Sequence, residues 1–353
     1  MVTVSVIMPI YNVADELGKS IQSLLDQTYK DFELILVNDG STDSSGHICD
    51  EFQKKDSRII VIHQENVGSG FARNAGLDQA SGEYIYFSDP DDYVETLLIE
   101  ENVKIALENQ ANMVVFGYYF EEINPKGKIK KTRELPTLSV LTTKEDFRKS
   151  FRAFQTLDSN VLWNKLYKHG YLLENNCRFT DQRVGQDALF NHLVYRDLES
   201  VYFNQTPYYH YVSRFGSAIN RYHPDRFLLE YNIAEHFEKL LVYWQQEQSY
   251  RDLISLAYWR TLYVELSNLV LEDCPINDYQ KEQHMASILN HPKIQETLFS
   301  LNSGLKKKYH IYLLILLLKN ARYLQVLKVM RVKIQFSKNY HYAFNALKKI
   351  TGT

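Results

Sequence analysis

The stretch Val2–Asn12, VTVSVIMPIYN, is apolar almost without interruption until it breaks at a tyrosine and an asparagine. A strand with one wet face alternates apolar and polar residues. A run of this kind predicts a strand buried on both faces, as in a parallel sheet. Next comes ELGKSIQSLLDQ, which sets Leu17, Ile21, Leu24 and Leu25 on one helical face. FELILVNDGS is a second buried strand, with Ser41 or Thr42 placed to cap the following helix. RIIVIHQ is a third strand, and GSGFARNAGLDQAS reads as a glycine-rich loop opening a helix. EYIYFSD is a fourth strand, VETLLIEENVKIALENQ the helix after it, and ANMVVFGYYFEE a fifth strand ending at the turn NPKGK. Strands alternating with helices predict a doubly wound, mostly parallel α/β sheet flanked by helices. Right-handed crossovers place the loops after each strand on one edge, where such sheets bind ligands. The loops to inspect are therefore PIYN, NDGSTD, QENVGSGFARN and SDPDD.

The later chain changes character. WNKLYKHGYL, VGQDALFNHLVY and a strand pair around SVYFNQTPYYHYV read as a mixed extension of the same domain. From about Arg226 the pattern is mainly helical, so the expected domains are residues 1–224 and 225–353. The 353 residues carry a net charge of −3, which gives no case for nucleic-acid binding. Cys49, Cys177 and Cys274 form no metal-ligand or disulfide spacing and suit a reducing, cytoplasmic setting. The start of the chain has no charged segment ahead of an apolar one, so no signal peptide is expected. Ile311–Leu318 is the longest apolar run and is too short to span a bilayer.

Each loop has two readings. In FSDPDD, Asp89, Pro90 and Asp91 suit the successive positions of a tight turn. Asp89 precedes proline and leans toward extended backbone, so Asp89 and Asp91 could equally face one cation, while Asp92 caps the next helix. Hard oxygen ligands of this kind suit Mg2+ or Mn2+. Asp39 ends the second strand, where a carboxylate can accept from a ribose hydroxyl or a base N–H; capping accounts for Ser41–Asp43 and leaves Asp39 free. Gly68 and Gly70 with Arg73 suit a phosphorylated ligand at a helix N-terminus. The spacing is not G-x-G-x-x-G, since Arg73 stands at the third glycine, and there is no P-loop.

Together, VSVIMPIYN, LILVNDGSTD, QENVGSGFARNAG and YIYFSDPDD resemble, in order and spacing, the family 2 inverting glycosyltransferases of the GT-A fold. The resemblance covers roughly the first 120 residues strongly and continues more loosely through VLWNKLYK, RVGQDALF and YYHYVSRFGSAINR. It implies a GT-A fold with a helical C-terminal region. It implies further that Pro9 and Tyr11 line the base pocket, Asp39 contacts base or ribose, and Arg73 and Asn74 border the diphosphate. Asp89 and Asp91 would form the D-x-D motif, with Mn2+ or Mg2+ held by Asp91, Asp89 and His210. Arg214 and Ser217 would lie on a late loop over the diphosphate. Trp163 would stack on an acceptor sugar, and Asp187 would be the catalytic base. Gln186 stands where the family's glutamate is usual.

Plainer readings stand beside these. Asp187 suits a helix cap, Trp163 the core, His210 an ordinary strand position and Lys165 a structural partner. The implied substrates are a UDP-sugar and a glycan, glycoprotein or lipid-linked acceptor of bacterial surface polysaccharide or adhesin glycosylation, with a homo-oligomer a further expectation. Two rivals remain: a non-catalytic sugar-binding or scaffold subunit, kept open by Gln186, and a sugar nucleotidyltransferase, disfavoured because no glycine- and lysine-rich loop follows the first strand. After Glu296 the chain has lysine and arginine but no acidic residue. This basic tail reads either as a peripheral contact with the inner face of the membrane or as core-packing helices with a solvated basic face.

Overall fold

A computed structural model describes residues 2–123, 127–157, 159–213, 221–300 and 309–339. The chain divides into two compact units, Met1–Ser217 and Ala218–Thr353. The first unit runs β1 (Val4–Ile10), α1 (Ala14–Leu25), β2 (Phe32–Asp39), α2 (Ser45–Lys55), β3 (Ile59–Gln64) and α3 (Ser69–Gln79). It continues through β4 (Tyr84–Phe87), β5 (Tyr93–Val94), α4 (Leu98–Asn109), β6 (Met113–Ile123), β7 (Ile129–Glu134) and β8 (Val140–Leu141). Then follow α5 (Lys144–Phe154), β9 (Lys165–Lys168), α6 (His169–Glu174), α7 (Gln186–Tyr195) and β10 (Val201–Ser213).

Among the described residues one sheet holds all the strands, ordered β3-β2-β1-β4-β9-β6-β10-β5, with β7 added beside β6 and β8 beside β10. Every residue of β1 and β2 is buried, the apolar majority by packing on both faces and the polar Ser5 and Glu33 by pairing, Ser5 Oγ donating to Glu33 Oε1 (2.6 Å). The pairs β1–β2, β1–β4, β2–β3 and β6–β10 are parallel. The fold is thus mixed α/β with a mostly parallel central sheet. β9 departs from a doubly wound order: it enters antiparallel between β4 and β6. Its sequence, KLYK, is too short for a periodic signal, and only the gap between two parallel strands gives it a place.

Three local expectations change. SVYFNQTPYYHYV folds as one strand, β10, not a pair; its register against β6 slips on either side of Pro207, which has no N–H to give the ladder. The helix expected over Val94–Gln110 begins only at Leu98. Asp92 does not cap it: Asp92 accepts hydrogen bonds from Tyr209 Oη (2.7 Å) and Val212 N (2.8 Å), and β5 pairs with β10 instead. Helix α2 starts at Ser45, with Ser44 and not Ser41 or Thr42 at its N-cap position. Asn124–Lys126 of the expected NPKGK turn lie outside the described residues.

The second unit is helical: α8 (Arg226–Tyr243), α9 (Arg251–Asn268), α10 (Asp278–Leu289), α11 (Pro292–Ser300), α12 (Tyr309–Lys319) and α13 (Tyr323–Asn339). Trp259, Leu262 and Leu266 of α9, with Leu314 and Leu318 of α12 and Val326, Leu327 and Met330 of α13, lie in one apolar core. Among the described residues no helix is long and apolar enough to cross a membrane.

Candidate active site

The loops after β1, β2 and β3 are tied together before any ligand is considered. Asn12 takes a left-handed backbone (φ 51°), which asparagine tolerates better than most residues. Its Oδ1 accepts from Thr42 N (2.8 Å) and Asp43 N (3.3 Å), while Ser41 Oγ accepts from Asn12 N (3.1 Å). This leaves Tyr11, 49% exposed, as an open aromatic surface at the end of β1. Pro9 is buried within β1, opposite Val37 of β2. Asp39 is not free. Its carboxylate accepts from Gln64 Nε2 (2.7 Å), Val67 N (3.0 Å) and Gly68 N (2.9 Å), pinning the chain into α3. Gly68 stands at the turn with φ 98°, a conformation that suits glycine.

From the second turn of α3, Arg73 reaches two carboxylates at once. Nη2 donates to Asp89 Oδ1 (2.9 Å) and Nη1 to Asp187 Oδ1 (3.0 Å). Arg73 is itself buried, so both pairs are shielded on its side. Asp89 opens a tight turn closed by Asp92 N to Asp89 O (3.5 Å), with Asp91 exposed at the corner. Asp187 lies in the first turn of α7, where the N-cap position belongs to Gly185 without a side-chain cap bond. The capping reading of Asp187 therefore falls. Its side chain is 34% exposed. Burial pushes its carboxyl above the ordinary aspartate range; Asp89 adds to the rise, while Arg73 and Lys165 pull it back. Lys165 is fully buried and donates to Val161 O (2.6 Å) and Asn164 Oδ1 (2.7 Å). These bonds make Lys165 the structural partner that its place in WNKLY suggested, and its charge also acts on Asp187.

Other expected residues take different places. Asn74 spends its amide on the backbone of Phe179, donating to its O (2.9 Å) and accepting from its N (3.0 Å). It shapes the segment leading into α7. Trp163 is 5% exposed and stacks on Tyr209 at 4.4 Å, so its ring is packed into the protein. His210 is buried between Tyr93 and Tyr119, and both ring nitrogens are engaged, Nδ1 by Glu121 (2.8 Å) and Nε2 by Glu95 (2.9 Å). Arg214 and Ser217 lie outside the described residues. Among the described residues no three His, Cys, Asp or Glu side chains gather as a metal cluster. Carboxylates are the donor type that Mg2+ and Mn2+ take, since these ions keep several waters and bind through one or two carboxylates plus phosphate oxygens. The site thus joins a carboxylate turn, a carboxylate of raised pKa and a buried guanidinium on the ligand edge of the sheet.

Comparison with known proteins meets this geometry. Over residues 5–173 the chain matches the family described as Glycosyl transferase family 2. The match takes in β1 through β9, with Tyr11, Asp39, Arg73, Asp89 and Asp91, and stops short of Asp187. The chain is 37% identical over 221 residues to the glycosyltransferase GlyA of Streptococcus pneumoniae, covering 61% of this chain and 31% of GlyA. It is 38% identical over 199 residues to the glycosyltransferase EpsJ of Bacillus subtilis, covering 56% of this chain and 57% of EpsJ. The chain therefore spans about a third to somewhat over half of these relatives' length. Among solved structures it is similar to residues 1–349 of S. aureus TarS, with a TM-score of 0.63 at 18% identity, covering 94% of this chain and 91% of that one. The fold of the family 2 region is the GT-A fold.

Proposed function

We propose that this protein is a metal-dependent inverting glycosyltransferase that moves a sugar from a UDP-sugar to a hydroxyl of a glycan, glycoprotein or lipid-linked acceptor in bacterial surface-polysaccharide or adhesin glycosylation. The observation that carries the reading is Arg73 joining Asp89 of the carboxylate turn to Asp187. Such a site needs a cation partner for a departing diphosphate and, separately, a carboxylate for the attacking hydroxyl. Tyr11 offers a stacking face for the base. Asp39 holds the loop that the ribose and diphosphate would cross. Asp187 takes the proton as the acceptor oxygen attacks the anomeric carbon. The bond from that carbon to the phosphate oxygen breaks on the opposite face, so the configuration inverts. Arg73 stabilises charge building on the leaving group. A divalent ion held by Asp91 and Asp89 would neutralise the diphosphate. Structures of TarS in complex with UDP and with UDP-GlcNAc support the UDP-sugar donor.

The C-terminal unit supports a peripheral membrane contact. On the outer arc of α12, Tyr312, Leu313 and Leu316 are 40%, 42% and 45% exposed, and no acidic residue follows Glu296. Exposed apolar side chains in a stretch of sequence whose charged residues are all basic suit an anionic lipid surface. The test of the catalytic reading is a panel of UDP-, GDP- and TDP-sugars with Mn2+, scored for released nucleoside diphosphate. Release from a UDP-sugar, lost on chelation, is expected. Binding without release would leave the scaffold reading, and release of pyrophosphate would identify a nucleotidyltransferase.

A further inference from the structure

Helix α3 serves as a template for the segment that carries Asp187. Ser69 and Arg73, four residues apart, share one face of α3. Ser69 Oγ accepts a hydrogen bond from Gln186 Nε2, and Arg73 binds Asp187, the very next residue. Gly70 and Asn74 repeat the same spacing one position on. Asn74 holds the backbone of Phe179. Gly70 lets the segment approach: a Cβ there would stand 2.1 Å from Gln186 Oε1 and 2.9 Å from Thr180 O.

Gln186 is 6% exposed, and its Oε1 has no hydrogen-bond partner among the described residues. An unpaired buried acceptor costs stability, and a glutamate there would add a second buried carboxylate next to Asp187. The gain that offsets this cost is geometric. Arg73 is shared between Asp187 and Asp89 and would also be drawn toward a bound diphosphate. Held by Arg73 alone, Asp187 would follow a long side chain that has to serve three anions. The amide of Gln186 is a second and neutral tie, which binding of an anion does not compete for.

We propose that Gln186 is a positioning residue. Through Ser69, and across the gap left by Gly70, it fixes the first turn of α7 on α3, so that Asp187 keeps its aim when Arg73 turns to the donor. This rests on the reading of Asp187 as the base. The test compares wild type, Ser69→Ala, Gln186→Ala and the double variant by thermal unfolding, by hydrogen exchange over residues 187–189 and by transfer kinetics. In unfolding, the double variant is expected to fall no further than the worse single one, and exchange is expected to speed up in all three variants. Fully additive shifts with unchanged exchange would overturn the tie. In kinetics, each single variant is expected to lose roughly 10- to 100-fold in kcat with little change in donor KM, and Ser69→Thr, which keeps the hydroxyl, is expected to recover most of it. Unchanged kcat in Gln186→Ala would overturn the positioning role. A wild-type protein that releases no nucleoside diphosphate from any donor would instead remove the glycosyltransferase reading, and the unfolding and exchange data would still decide whether Gln186 holds α7.

Discussion

At the scale of single residues, the geometry separates carboxylates that look alike in sequence. Asp89, Asp91 and Asp92 are near neighbours, yet Asp89 meets Arg73, Asp91 is exposed, and Asp92 is buried against Tyr209 and the backbone of Val212. Burial, with the nearby Asp91 and Asp89, raises Asp92 to about 8. Its folded pKa thus lies above the unfolded value, so folding binds a proton between about pH 4 and 8. The stability this gives is full below pH 4 and is lost as pH rises toward 8. Asp92→Asn is expected to flatten that fall; urea midpoints measured with chelator across the range check it, and a constant offset from wild type would contradict it. Asp187→Asn is expected to keep UDP binding while transfer drops by about 10²- to 10⁴-fold, the usual worth of a general base. Because the Asp187 carboxyl is raised, the acidic limb of kcat/KM in wild type is expected above the ordinary aspartate range.

At the scale of elements, the site depends on loops that hold one another. Asn12 connects the end of β1 to the loop after β2 with a side chain that also tolerates its left-handed backbone. Asn12→Gly keeps the backbone and removes the hydrogen bonds, with an expected loss of about 1–2 kcal/mol. Asn12→Ala removes both and is expected to lose more, about 1 kcal/mol beyond the glycine variant. Both should raise donor KM, and calorimetry with UDP-sugar titration checks the pair. Equal effects would show that only the side-chain bonds matter. The apolar run of β1 and the glycine-rich stretch that opens α3 made these elements legible in advance. β9 was not legible, because four residues carry no period. The start of α4 differs because Asp92, the expected cap, accepts instead from Tyr209 and Val212, which are far along the chain.

At the scale of the whole molecule, the chain after Glu296 has lysine and arginine but no acidic residue, and α12 in that stretch exposes apolar side chains. Leu313→Asp with Leu316→Asp is expected to reduce cosedimentation with vesicles rich in anionic phosphatidylglycerol by at least about tenfold, since it removes apolar contact and adds repulsion. Hydrolysis of UDP-sugar in solution should be unchanged. Equal cosedimentation of variant and wild type would assign this face to something other than lipid.

The sequence by itself determined the buried strands, their alternation with helices and the edge on which Tyr11, Asp39, Arg73, Asp89 and Asp91 would gather. These follow from periodicity and loop chemistry, which are local. Only the tertiary structure decided how those residues are used. Asp39 pins a loop, His210 and Trp163 are locked into aromatic packing, and Arg73 shares its charge between Asp89 and Asp187, residues 16 and 114 positions away. Which partner a buried charged or polar group finds depends on long-range packing and on what shields it from water, and neither is encoded in the few residues on either side.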